Sequence, residues 1–198
     1  PHQPRSIYVS TTGDNEMGDG TIANPFQSIQ RGIDEVVSND TVRVLTGTYS
    51  YSGNTNISIF DKTLTLISSD GPGTAIIDGF NGASYDNIFN VSCGICTTYH
   101  KVGIIGFRIE NSSMAVQVSA GASDVYIAEN SISNTTYGLV ISSANTVIIE
   151  RNLIKRTNNA PISLQGADSA FVFKNTIDSA YFGIDLSVGN YAKIFNNI

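Results

Sequence analysis

The sequence predicts an all-β chain wound as a right-handed, single-stranded parallel β-helix, with a short capping helix near its N-terminus. Three observations predict it. Short apolar–polar segments return every 22 or 23 residues through the C-terminal half, a second motif returns in phase with the first, and an Asn recurs at one place in each coil. Repeats of this length mean that each unit buries its apolar face only by stacking on the next.

The first motif reads Val125-Tyr-Ile-Ala-Glu-Asn130-Ser-Ile132, then Val147-Ile-Ile-Glu-Arg-Asn152-Leu-Ile154, then Ala170-Phe-Val-Phe-Lys-Asn175-Thr-Ile177. A further copy begins at Ala192 and carries Asn197. An earlier one begins at Val102 with Phe107 in place of Asn. The second motif is Val116-Gln-Val118, Leu139-Val-Ile141, Ile162-Ser-Leu164 and Ile184-Asp-Leu186. These segments alternate apolar and polar residues and are rich in β-branched side chains, the period-2 pattern of strands. Asn130, Asn152, Asn175 and Asn197 are expected to form a ladder, each amide bonding to the next coil. They are also expected to take the left-handed backbone conformation of a tight corner.

The opening of the chain gives the helix. Asn24 suits an N-cap and Pro25 a first helical position. Phe26, Ile29, Ile33 and Val36 then form one apolar stripe. A solenoid end exposes core and unpaired strand edges, so a helix there has a physical purpose. Residues 1–40 are therefore read as an N-terminal strand and capping helix, and 41–198 as coils of one structural domain. Leu64-Thr-Leu66, Ala75-Ile-Ile-Asp78 and Ile88-Phe-Asn-Val91 fit strands. The extra length between Leu64 and Val102 falls into inserts near 79–87 and 92–101.

With these repeats, Ile7-Tyr-Val-Ser10, Gly13-Asp14, Gly20-Thr21, Asn24-Pro-Phe26, Val42-Arg-Val44 and Gly47-Thr-Tyr49, the chain resembles the pectin lyase-like superfamily of parallel β-helices over nearly its whole length. The resemblance is to extracellular members. It implies a fold in which a helix after Asn-Pro-Phe plugs the first coil. It also implies that a catalytic member would act on a polysaccharide along one strand face.

Composition narrows the function. The net charge is −6, and the eleven Lys and Arg residues are scattered, which excludes nucleic acid as a partner. No apolar run is long enough to span a bilayer. The chain begins Pro-His-Gln-Pro rather than Met, as a processed or partial chain would, and it ends in mid-coil. Sequons at Asn56, Asn90, Asn111 and Asn134 are compatible with a secreted glycoprotein.

Glycoside hydrolysis requires two carboxylates roughly 5–10 Å apart, and one position on adjacent coils repeats at about 4.8 Å. The outward row of the second motif is Ser58, Asn90, Gln117, Val140, Ser163 and Asp185. Asp185 alone is acidic and has no basic residue beside it in the row. It is a weak catalytic candidate, and the superfamily's catalytic sets have no counterpart in this chain. Asp14, Glu16 and Asp19, with Asn15, form an oxygen-rich loop that would suit Ca²⁺, although Asp, Asn and Gly are also ordinary turn residues. Apart from this the sequence indicates no cofactor. Cys93-Gly-Ile-Cys96 lacks the helix of a redox motif and the second Cys pair of a zinc site. A local disulfide is the leading reading.

The outward residues of the first motif are apolar and aromatic: Ile105, Tyr126, Ile148, Phe171, Phe173 and Phe195. A contiguous stripe of this kind is covered by a loop or a further part of the chain, packs on another protein, or stacks its rings on sugars. The sequence thus leans away from an enzyme. It points to an extracellular or cell-surface structural, adhesive solenoid that associates with itself or other proteins through this face or its open final coil. The alternative is a polysaccharide-binding or polysaccharide-cleaving domain, or the N-terminal part of a longer such enzyme.

Overall fold

The computed structural model of the chain describes residues 2–80, 86–94, 100–119, 121–187 and 189–198, with backbone only at 189 and 190. It is a parallel β-solenoid of about six turns with very little helix.

The first coils contain β1 (Ser6–Val9), α1 (Ile29–Asp34), β2 (Asp40–Val44), β3 (Gly47–Tyr49), β4 (Ile57–Phe60), β5 (Leu64–Ser68), β6 (Ala75–Asp78) and β7 (Phe89–Ser92). The later coils contain β8 (Lys101–Ile105), β9 (Arg108–Val118), β10 (Ala122–Ala128), β11 (Ser131–Ile141), β12 (Ala144–Glu150) and β13 (Leu153–Thr157). They close with β14 (Ile162–Leu164), β15 (Ala167–Phe173), β16 (Thr176–Asp178), β17 (Ile184–Leu186) and β18 (Gly189–Phe195).

Eight strands form one sheet in the order β1-β2-β5-β8-β10-β12-β15-β18. The other ten form two faces of one bent sheet. β3, β6, β13 and β16 pair along one face, while β4, β7, β14 and β17 pair along the other. β9 and β11 are long enough to run through both faces. They turn between faces at Asn111 and Asn134, whose φ values are 54° and 56°. Every one of these pairings is parallel, as a solenoid requires, because each coil returns to the next in the same direction.

The alternation in the sequence sets which side chains go inside. Ile104, Ile127, Ile149 and Val172 stack in one fully buried column, and Val102, Val125, Val147 and Ala170 in another. Each buried Ile or Val removed from water stabilises the fold by about 1.5–3 kcal/mol. Phe107, which stands where later coils have Asn, is buried against Phe89 at 5.7 Å in an edge-to-face contact.

Two local expectations are corrected. The helix begins at Ile29 and not after Asn24. Phe26 instead bridges Val9 in strand conformation, with its N–H donating to the Tyr8 carbonyl. Ser28 is the N-cap, its Oγ accepting from Arg31 N–H. The Asn15 Oδ1 accepts from the Gln27 and Ser28 N–H groups, which holds the approach to the helix extended. The apolar stripe is nonetheless buried, with Phe26, Ile29, Ile33 and Val36 all in the core.

The second correction concerns the corner. The ladder exists: Asn130, Asn152 and Asn175 each donate from Nδ2 to the Oδ1 of the Asn one coil on, at 3.0 Å. The left-handed residue, however, is the one before each Asn. Glu129, Arg151, Lys174 and Asn196 have φ between 54° and 59°, and Gly106 takes the same place with φ 79°. The Asn side chain does a different job there. Asn152 Oδ1 accepts the Asn130 N–H, and its Nδ2 donates to the Ile127 and Glu150 carbonyls. The amide thus serves backbone groups that the sharp turn takes out of the sheet ladder, and buried groups of this kind need partners.

Candidate functional site

The outward row of β4, β7, β9, β11, β14 and β17 is aligned by strand register: Ser58 to Asn90, Asn90 to Gln117, Gln117 to Val140, Val140 to Ser163 and Ser163 to Asp185. Asp185 is exposed and accepts from Ser163 Oγ at 3.2 Å. Gln165 Nε2 donates in turn to Ser163 Oγ. This arrangement holds one carboxylate with neutral neighbours. It does not supply the carboxylate pair that hydrolysis needs. A groove beside it is lined by Asn159, Ala160, Phe182, Gly183, Ile184 and Asp185.

The outward face of the eight-stranded sheet carries two continuous rows. One runs Thr65, Gly103, Tyr126, Ile148, Phe171, Lys193, and the other Ile67, Ile105, Ala128, Glu150, Phe173, Phe195. Phe173 and Phe195 stack face to face at 5.0 Å, and Lys193 lies over Phe171. Most of these side chains are half-buried by their neighbours, while Phe195 is 46% exposed. The face is not uniformly apolar. Tyr126 Oη donates to Glu150 Oε1 at 2.5 Å, and Arg151 bridges Glu150, Glu129 and Tyr126 Oη. Burial, and then the Glu150 carboxylate beside it, raise the Tyr126 hydroxyl above the usual phenol range. A raised phenol is a poor base at neutral pH, so this group serves to hold Glu150, which is buried on an outer face.

The acidic loop near the start forms turns. Asp14 Oδ1 accepts from the Glu16 and Met17 N–H groups, and Asp19 Oδ1 from Thr21 N–H. The backbone and Thr21 hydrogen bonds hold both carboxyls below their ordinary values. Asp14, Glu16 and Asp19 are not brought together as a ligand set. The sequon Asn134 donates to Asn111 Oδ1, and Asn111 to Asp78 Oδ1, a second polar line along an outer corner. Asn56 is exposed and Asn90 half-buried.

One cluster escaped sequence reasoning. Asp61, Cys93 and His100 present a carboxylate oxygen, a sulfur and a ring nitrogen that all lie within 4.8 Å of one another. Register is the signal that would have found it. Phe60 pairs with Ser92, so Asp61 and Cys93 occupy equivalent places on adjacent coils. Leu64 pairs with Val102, which brings His100 alongside the same corner. Asp61 has φ 53°, and its Oδ1 accepts from Gly94 N–H at 3.0 Å. Cys93 is buried and disulfide-bonded, and the chain has one other cysteine, Cys96, which lies outside the described residues. Parts of both inserts, residues 81–85 and 95–99, also lie outside them.

Comparison with solved structures matches a protein titled "Rhamnogalacturonan lyase", with a TM-score of 0.67 and 13% sequence identity. The match covers 94% of this chain and 62% of the other, and at this identity it speaks to the fold alone. The curated protein sequences give no match. A family model described as "Periplasmic copper-binding protein (NosD)" matches residues 4–198. Nearly the whole solenoid is covered by that match, and the chain belongs to the NosD family.

Proposed function

We propose that this chain is a non-catalytic β-solenoid of the extracytoplasmic space that presents the outward face of its eight-stranded sheet to another protein, a second copy included. The observation that carries this reading is the aligned patch of Ile67, Ile105, Tyr126, Ile148, Phe171, Phe173 and Phe195, held flat by the strand register. Grouped aromatic and aliphatic side chains are the composition of an interface core, and the two charged residues in the rows, Glu150 and Lys193, are engaged with Tyr126 and Arg151 and with the Phe171 ring. The disulfide at Cys93 suits an oxidising compartment, and the family's description places its members in the periplasm.

The test is association of the purified chain, followed by sedimentation and by crosslinking in an extract of the native compartment. Phe171→Ser with Phe173→Ser should abolish the complex and leave the fold intact, because both rings lie on the outer face. A complex unchanged by the double variant would remove this reading.

A second reading is favoured by a different observation. A groove of about 610 Å³ between the helix and the first coils is lined by Gln30, Tyr51, Ser52, Gly53, Thr55, Asn56 and Asp86. Tyr51 is 62% exposed, and a ring beside amide and hydroxyl groups suits a sugar. Binding to an array of plant and bacterial glycans, lost in Tyr51→Ala, would move the function to polysaccharide recognition.

The family's description also names copper, whose protein ligands are thiolate, thioether and imidazole. Among the described residues the donor set closest to this is Asp61, Cys93 and His100. With Cys93 in a disulfide no thiolate is available, and imidazole and carboxylate remain.

A further inference from the structure

We propose that the outward face of the eight-stranded sheet pairs with the same face of a second copy, the two solenoids running in opposite directions about a two-fold axis that lies along β12 at Ile148. This rests on the reading of that face as an interface and names its occupant.

Side-chain size is graded along the solenoid. From β8 to β18 one row runs Gly103, Tyr126, Ile148, Phe171, Lys193, and the next Ile105, Ala128, Glu150, Phe173, Phe195. The smallest side chains lie toward β8 and the Phe rings toward β18. A two-fold axis parallel to the strands sets β12 on its own copy, β10 on β15 and β8 on β18. Ala128 then meets Phe173 of the second copy, Ile105 meets Phe195 and Gly103 meets Lys193. Large side chains are thus received where the other copy is small. A notch of about 290 Å³ on the β8 side is lined by Lys101, Asp124, Val125, Tyr126, Thr146 and Ile148. The same axis brings Phe171 of the second copy to its mouth. Contacts of this kind, in which one residue meets a second and the second meets the first, are what an isologous interface requires.

Charge selects the same axis. Glu129, Arg151 and Lys174 hold equivalent left-handed places on successive coils, at the edge of the face. Lys174 is exposed and has no ion pair among the described residues, while Glu129 is bridged by Arg151 and 41% exposed. The axis sets Lys174 of the second copy against Glu129, twice per dimer. Lys101 at the opposite edge meets the exposed ring of Tyr191. Glu150 meets its own copy, and Arg151, 2.9 Å from each carboxylate, supplies the opposing charge. A two-fold axis parallel to the solenoid would instead set Asp124 against Glu129 and Ile148 against Glu150. Like charges, and a charge against an aliphatic side chain, disfavour that arrangement.

The area suffices. Five strands of up to seven residues, at about 4.8 Å spacing and 3.3 Å rise, present roughly 550 Å² of flat sheet per copy. The two faces together clear the roughly 1,000 Å² of a specific interface, and interdigitation adds to it. Strands aligned across the contact match the ordinary packing of two sheets.

The experiment is sedimentation equilibrium of the full chain, with disulfide trapping to locate the axis. A dimer is expected. Ile148→Cys should link to itself under mild oxidation, and Ile105→Cys mixed with Phe195→Cys should give a linked heterodimer. Ser58→Cys, on a different face, should link to neither. Lys174→Glu should raise the dissociation constant about tenfold or more, because the axis repeats the contact twice, and an equimolar mixture with Glu129→Lys should restore it in part. Circular dichroism and melting of each variant separate loss of pairing from loss of the fold. A monomer at every concentration, or a dimer that traps at Ser58→Cys and not at Ile148→Cys, would overturn the proposal. A monomer that still forms a complex with another protein, lost in Phe171→Ser with Phe173→Ser, would overturn the self-pairing and leave the broader interface reading standing. A dimer or complex indifferent to every substitution on this face would remove both.

Discussion

The C-terminal and N-terminal halves of the solenoid solve one problem in two ways. Every coil must turn from the eight-stranded sheet into the next face, and each turn strands backbone groups inside the protein. From residue 130 onward one device is repeated. An Asn follows a left-handed residue, and its amide serves the backbone of its own coil and of the neighbour. In the first coils each corner has its own answer. Asp40 is wholly buried and accepts from Arg5 N–H, Val37 N–H, the Arg5 guanidinium and the His2 ring. Ser68 Oγ accepts from Ala75 N–H and donates to the Gly71 carbonyl. Repetition allows identical side chains to bond to each other, whereas individual solutions require charge or a local loop. The first kind is visible as a sequence period and the second is not.

The largest effect is expected where the repeated device is interrupted in its middle. Asn152→Ala leaves the Asn130 N–H and the Ile127 carbonyl without their partners and opens the ladder to both sides. Unpaired buried groups cost about 1–3 kcal/mol each, which predicts a loss of about 3 kcal/mol in chemical denaturation. Asn197→Ala is the control. Its amide is partly exposed, so a loss of about 1 kcal/mol is expected. Equal losses would show that the ladder has no cooperative interior.

The individual device is tested by Asp40→Asn, expected to cost about 2 kcal/mol because the hydrogen bonds it weakens are charge-assisted. Burial pushes the Asp40 carboxyl up, but the Arg5, His2 and Val37 donors outweigh it and hold the carboxyl below its ordinary value. A carboxyl depressed in the folded state contributes stability that is fully present above the unfolded value, near 3.9, and is lost as pH falls through the lower folded value. Unfolding free energy followed from pH 6 to pH 3 should therefore drop at the acid end for the native chain. The drop should be smaller for Asp40→Asn, and parallel curves would assign the acid sensitivity elsewhere.

This contrast also explains what the sequence could and could not disclose. The repeat period made the strands, the ladder partners and both outward rows legible, because stacking identical coils converts spacing directly into contact. Asp185 and Gln117 could be placed in one row from numbering alone. Helix onset was misplaced because Asn24-Pro25 satisfies a capping pattern, yet Asn15, distant in sequence, holds that stretch extended. The left-handed corner was assigned to Asn by residue preference, while tertiary bonds to the amide set the backbone there and pass the strain to Glu129, Arg151 and Lys174. The Asp61, Cys93 and His100 corner arises between coils of unequal length, where no period connects its members.

The smallest expected effect concerns a column that neither device serves. Ser112, Thr135 and Thr157 stack in register on β9, β11 and β13, are 1–3% exposed, and have hydroxyl oxygens with no hydrogen-bond partner. A buried hydroxyl without a partner costs about 1–3 kcal/mol by protein mutational measures. Valine replaces that hydroxyl with a methyl of similar size, retaining the β-branch that suits a strand. Thr135→Val is accordingly expected to leave stability unchanged or raise it by up to about 1 kcal/mol, in contrast to the loss at Asn152 one corner away. Melting and denaturant midpoints compared with Thr135→Ser decide the matter. A clear destabilisation by Val would mean that these hydroxyls hold a file of ordered water along the core, and the column would then be a third way of serving a corner.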